Sequence, residues 1–175
     1  LRQIESFSPE LKTIIGGALR YGPAASTLES GAGVDRPSYL ARRGGSVGQQ
    51  WWAWGNGINL KIKGGPAGEA FATATLLSGT AITSTHLAGQ RASDSAVLLL
   101  YVDGANLRLA SFNAATGTLV NAAVTLEALT GQISHVRAVL DRNEKLHIVF
   151  EHDEGPRQQV YYTKVGVVTG APFGA

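Results

Sequence analysis

Short apolar runs, each followed by a turn that contains glycine, recur along the middle and the end of this chain. The segment GINLKI at positions 57–62 is matched, 47 residues later, by GANLRL at positions 104–109. A strand-like apolar run precedes each segment, Gln50–Trp54 in the first case and Val97–Val102 in the second. Self-similarity at such a period is typical of repeat architectures.

A third, looser copy of the pattern lies near the end of the chain. Leu146–Phe150 leads into a polar turn at 151–158, and Val160–Val165 follows. Further strand candidates lie upstream of all three hairpins and downstream of the first two, namely Ser38–Ala41, Thr85–Ala88 and His135–Leu140, then Ala70–Leu77 and Leu119–Leu126. Four short strands per repeat, separated by Gly, Asn and Asp turns, is the spacing of a β-propeller blade.

We therefore predict an all-β protein made of β-propeller-like repeats, each a four-stranded antiparallel blade. The predicted blades span 35–79, 80–130 and 131–175, after an N-terminal extension at 1–34. A blade cannot bury both of its faces alone, so the core is expected between blades. Three blades do not close a ring, which typically takes about four to eight. The chain is therefore expected to pair with copies of itself or to belong to a longer polypeptide.

The N-terminal extension falls outside the repeat. Ser8 followed by Pro9 is typical of a helix start, whereas Gly16 and Gly17 each disfavour a helix interior. A short helix and a strand pair that turns at the two glycines both stay open. The apolar face of the helix would hold Leu11, Ile14, Ile15, Ala18 and Leu19. Because the chain opens on Leu1 and has no methionine, we expect a processed product or a fragment.

Composition narrows the functional classes. The 22 glycines suit many tight turns, and no apolar run approaches the ~20 residues of a membrane helix. A net charge of +2 from scattered basic residues does not predict a nucleic-acid-binding surface. The absence of cysteine excludes disulfides, Cys-ligated zinc and thiol catalysis.

The third repeat carries a family resemblance. Val136–Phe150, with its LHIVF ending, followed by VYYTK at 160–164, resembles the BNR or sialidase-like propeller repeats. The resemblance implies a propeller fold. Asn143-Glu144 replaces the usual turn glycine, and the chain has no Asp-box. The sialidase catalytic set does not map onto this sequence, so the resemblance implies no catalytic residue.

All three tryptophans lie within positions 51–54. On a strand, Trp52 and Trp54 share one face and Trp51 takes the other. Tryptophan rings both stack on sugars and fill cores, so a ligand platform and packing between blades are both open interpretations. The predicted ligand-binding set, which adds polar groups near the hairpin turns, is Trp52, Trp54, Asn56, Tyr101 and Asp103.

Metal, cofactor and catalytic signals are weak. The run His147–Asp153 holds two histidines and two carboxylates, but alternation splits them between faces, and a solvated turn explains them better than a metal. We predict no metal, no cofactor and no catalytic residue. Six acids could still converge as a carboxylate pair for glycoside chemistry: Asp35, Asp94, Asp103, Asp141, Glu151 and Asp153.

The leading functional hypothesis is a non-enzymatic recognition, attachment or structural module on an extracellular or virion surface, such as a phage tail. Its expected partners are carbohydrate and further copies of itself or other subunits, with no nucleic acid and no membrane span. The alternatives are a fragment of a propeller glycoside hydrolase or lyase, and a purely structural assembly subunit.

Overall fold

The computed structural model describes residues 37–42, 49–66, 71–153, 155 and 158–166. Every regular element in those ranges is a strand, which confirms the all-β prediction. The helix considered at Leu11–Leu19 lies outside the described residues. Within the described part of the chain, no helix is long and apolar enough to cross a membrane.

Eleven strands form three antiparallel sheets in sequence order. Sheet A contains β1 (Ser38–Arg42), β2 (Gln49–Asn56), β3 (Asn59–Pro66) and β4 (Phe71–Ser78). Sheet B contains β5 (Ile82–Gln90), β6 (Ala96–Asp103), β7 (Asn106–Asn113) and β8 (Leu119–Ala128). Sheet C contains, among the described residues, β9 (Gln132–Leu140), β10 (Lys145–Asp153) and β11 (Gln158–Gly166).

The first two repeats share the same hairpin geometry. β2 and β3 close on the pair Asn56 and Asn59, and β6 and β7 close on Asp103 and Asn106. Gly57 and Gly104 hold the first loop position with φ of 61° and 62°. A two-residue hairpin loop favours glycine there because an L side chain disfavours positive φ. This geometry explains why the GxNL pattern recurs.

The centre of sheet B is buried on both of its faces. All eight residues of β6 are buried, and alternation directs successive side chains to opposite faces. Leu99 and Tyr101 join Trp51 and Ile62 of sheet A in one core cluster. Leu98, Leu100 and Val102, on the other face, join Ile148 and Phe150 of sheet C in a second cluster. The hydrophobic core thus lies between successive sheets.

The first strands of the three sheets, β1, β5 and β9, are neighbours, and we call them the inner strands. β5 contacts β1 and β2 of sheet A and β9 of sheet C. Polar contacts tie β5 and the turn after it to both neighbouring sheets. Leu87 N in β5 donates to Ser38 Oγ at 2.8 Å, and Ser93 N in the following turn donates to Glu144 Oε1 at 2.8 Å. These contacts bring three inner strands side by side, although about 50 residues of sequence separate one from the next.

Candidate functional site

A cleft of about 460 Å³ opens where the beginnings of the three inner strands meet. Its wall is mostly polar, with hydroxyl, amide, imidazole and guanidinium groups and one tyrosine ring. Concave sites with a few convergent polar groups are the usual location of ligand binding. The residues that line the cleft are Pro37–Tyr39, Thr83–His86, Gln132–His135 and Arg137.

Tyr39 supplies the aromatic surface of the cleft. It pairs directly with Trp52 across β1 and β2, and the two ring centroids lie 5.4 Å apart at 43°. Trp52 is half-buried beside it, whereas Tyr39 keeps 45% of its surface exposed. Partial burial raises the pKa of the Tyr39 phenol, so the hydroxyl stays protonated at neutral pH. Tyr39 therefore offers a supported ring and a hydrogen-bond donor.

His86 ties two inner strands together across the cleft. Its Nε2 lies 2.9 Å from the carbonyl oxygen of Ala138 in β9, so Nε2 carries the donated proton in the neutral ring. Burial lowers the pKa of His86, the Ala138 carbonyl counteracts this, and the nearby Arg137 lowers the pKa again. The imidazole is therefore neutral at pH 7, which leaves Arg137 as the permanently charged group of the described cleft wall.

His135 occupies a strained position at the cleft rim. Its φ is 48°, in the left-handed region that a side chain with a Cβ disfavours. The register of β9 against β10 shifts at this point, between Val149 and Glu151, as in a β-bulge. Bulges redirect side chains and are common beside binding sites. The His135 side chain is 71% exposed, and its Nδ1 lies 2.7 Å from Glu151 Oε2.

The cleft wall carries basic and neutral groups. Among its described residues, two are histidines, one is an arginine and none is Asp or Glu. Glu151 reaches His135 from outside this set. Paired-carboxylate glycoside hydrolysis needs two acids facing one substrate, and the described residues of the wall do not supply such a pair.

None of the five residues of the predicted ligand-binding set lines the cleft. Trp52 lies next to the cleft through Tyr39. Trp54 and Tyr101 are buried, with 1% and 0% exposure, and Asn56 lies half-buried at the end of β2. Trp51, the third tryptophan, is fully buried and its Nε1 donates to Ala114 O at 2.8 Å. Packing between sheets therefore accounts for Trp51.

Asp103 fastens the connection between sheets A and B. Its Oδ1 accepts hydrogen bonds from Thr80 N at 2.6 Å and Ala81 N at 2.9 Å, and Arg108 Nη1 donates to Oδ2 at 3.1 Å. Burial alone would raise the pKa of Asp103, but the Ala81 and Thr80 amides and the Arg108 guanidinium together hold it below its usual range. A Cβ at Gly79 would lie 2.6 Å from this carboxylate, so a larger residue there would push the Asp103 side chain out of its present position.

The remaining acidic candidates have separate partners. Asp94 pairs with Arg91, Asp141 accepts from His147 at 3.2 Å, and Asp153 caps Gly155 N at 3.0 Å. Within the described residues, no group of three or more His, Cys, Asp or Glu side chains could hold a metal ion. Asp35 lies outside the described residues.

Sequence reasoning missed the cleft residues Tyr39, His86, Gln132 and Arg137. A usable signal was present, because a strand was predicted upstream of each hairpin, and these are the strands that line the cleft. In comparisons with known proteins, no family model, no curated protein and no solved structure matched this chain.

Proposed function

We propose that this protein is a non-enzymatic recognition module that binds carbohydrate in the cleft between its inner strands. The observation that carries the proposal is the exposed Tyr39 ring, supported from behind by Trp52, on the wall of a polar cleft. Aromatic rings stack on the apolar faces of sugars, and nearby hydroxyl and amide groups bond the sugar hydroxyls.

In this proposal the three sheets are successive blades of a propeller-like arrangement. Two features support it: each sheet stacks on the next through an apolar face, and the first strand of every sheet faces the cleft. The cleft then corresponds to the centre of the arrangement, where strands from different blades converge.

A sugar ring would stack on Tyr39 while Gln132 and Ser84 bond its hydroxyls. Arg137 is placed to pair with a carboxylate or sulfate substituent, because the described wall presents no competing acid. No assigned role requires bond cleavage. Since glycans are displayed on cell surfaces, the proposed setting is extracellular or on a virion, as an attachment component.

Binding of glycans to the full chain tests the proposal. On a glycan array, followed by calorimetry on any hit, we expect Tyr39→Ala to weaken binding at least about tenfold, equivalent to about 1.4 kcal/mol. Trp52→Ala removes the support of the ring, so we expect a smaller loss.

Ile58→Ala is the control, because Ile58 is a 54% exposed hydrophobic residue in the turn between β2 and β3 and lies outside the cleft wall. Binding that is equally weak in the Tyr39→Ala and Ile58→Ala variants, or an array without any hit, would contradict the proposed function.

A further inference from the structure

Sheets A and B each use one face to pack on the sheet that follows. The corresponding face of sheet C is exposed. Val149 pairs with Tyr162 across β10 and β11, as Leu100 pairs with Leu109 across β6 and β7. The neighbours of Val149 in β10, Ile148 and Phe150, face sheet B. By alternation, Val149 therefore points away from sheet B. We call this side of sheet C, formed by Arg137, Val139, His147, Val149, Glu151, Val160, Tyr162 and Lys164, the open face.

Exposure sets the open face apart from its counterparts. Leu100 and Leu109 are fully buried against sheet C, whereas Val149 is 42% and Tyr162 63% exposed. Val139 and Val160 add exposures of 59% and 71% on the same face. These four side chains make up half of the large hydrophobic residues that are exposed in the described chain. Such clustering on one face marks an interaction surface.

Polar groups of both signs surround the apolar centre. His147 lies 2.8 Å from the Tyr162 hydroxyl and 3.2 Å from Asp141. Glu151 lies toward one end of the face, and His147 and Lys164, which pair with each other, lie toward the other. A two-fold axis that lies in the interface, perpendicular to the strands, would bring Glu151 of one copy over Lys164 of a second copy. The face is therefore complementary to itself.

A head-to-tail contact with sheet A is less suitable. In a head-to-tail contact, the open face would lie on the side of sheet A that faces away from sheet B. Trp54 points to that side, because alternation directs it away from the face that holds Trp51 and Ala53. Trp54 is already 99% buried within a single chain. A same-face contact needs no such space, and it closes as a dimer because a two-fold interface uses one patch twice.

From these observations we infer that two copies of this chain associate through their open faces in a two-fold dimer. Three strands of nine residues cover roughly 14 Å by 30 Å, which places the contact at the small end of specific interfaces, near or below about 1,200 Å² in total. Small interfaces are typical of weak complexes, so we expect a dissociation constant on the order of micromolar. The inference does not depend on the proposed sugar binding.

Sedimentation velocity of the full chain, at concentrations from about 200 times below to about 200 times above that constant, tests the inference. We expect the mass to rise from one copy to two. In a two-fold dimer each copy contributes the same residue, so Val149→Lys or Val160→Lys adds two positive charges to the interface. We expect either variant to raise the dissociation constant at least about tenfold.

Val120→Lys is the matched control, since Val120 is 43% exposed on β8 against 42% for Val149 on β10. Circular dichroism verifies the fold of each variant, and Val160, the most exposed of the set, replaces Val149 should the latter variant unfold. The inference is overturned by a wild-type chain that keeps the mass of one copy throughout or forms open-ended polymers. It is also overturned by a Val120→Lys variant that associates as weakly as Val149→Lys. Tyr39→Ala should leave the mass unchanged, which separates this result from the fate of the proposed glycan binding.

Discussion

Sheets B and C are built on the same hairpin pattern but meet different surroundings. Leu100 and Leu109 in sheet B are buried by the next sheet, while Val149 and Tyr162 occupy the same positions of sheet C and are exposed. Sheet C adapts by placing His147 and Glu151 where sheet B has Leu98 and Val102. The comparison teaches that these repeats keep the positions of the strands, whereas the polarity of each face follows the neighbour that covers it.

The largest effect should come from truncating matched positions of the two sheets. Leu100→Ala removes a buried side chain and leaves a cavity, so we expect the free energy of unfolding to fall by about 2–5 kcal/mol. Val149→Ala in dilute solution should change it by less than about 0.5 kcal/mol. Urea unfolding followed by tryptophan fluorescence measures both values, and equal losses would show that the two faces are not distinct environments.

An intermediate effect is expected at the ends of the same hairpins. Asp103→Asn removes the charge that three donors hold at the connection of sheets A and B, and we expect a loss of about 1–3 kcal/mol at neutral pH. Asp153→Asn, at the end of β10, removes only the cap of Gly155 N and should cost less.

The Asp103 contribution also has a defined pH dependence. Its pKa is lowered in the folded chain, so the stabilisation is fully present above the unfolded-state pKa of about 3.9 and is lost as the pH falls through the folded-state value. The difference in stability between wild type and Asp103→Asn should therefore be constant from pH 5 to 7, because pH 5 already lies about one unit above the unfolded-state pKa. The difference should shrink in stronger acid. A difference that persists in acid would show that the carboxylate charge is not its source.

The smallest effect is expected where the two sheets differ by one hydroxyl. Tyr101 in sheet B and Phe150 in sheet C hold equivalent buried positions. No described residue is a hydrogen-bond partner of the Tyr101 hydroxyl, so Tyr101→Phe should change the unfolding free energy by less than about 1 kcal/mol. Thermal melts measure this change. Glycan binding measured in parallel tests whether Tyr101 contributes to recognition, as the sequence predicted.

The sequence was sufficient to predict the strands because each hairpin carries its own local signal. Turn glycines such as Gly57 and Gly104 and the uninterrupted apolar run in β6 act within a few residues. The cleft depends instead on three strands that are distant in sequence. No local sequence pattern around Tyr39, His86 or Arg137 indicates that they line the same cleft. The left-handed backbone of His135 lies at a register shift that no sequence motif predicts.

The tryptophan cluster shows the same limit at single residues. Alternation correctly separated Trp51 from Trp52 and Trp54, and Trp51 lies in the core shared with sheet B. The different exposures of Trp52 and Trp54, which lie on one face, depend on tertiary surroundings that periodicity does not encode.

Only three residues join each sheet to the next, at 79–81 and at 129–131. Each sheet is also made from one continuous stretch of chain. A whole sheet could therefore be duplicated or deleted by joining the gene at these two connections, without rethreading any strand. Chains of this kind can lengthen or shorten by whole modules during evolution, and each newly terminal module then has to acquire polar residues on the side that loses its neighbour.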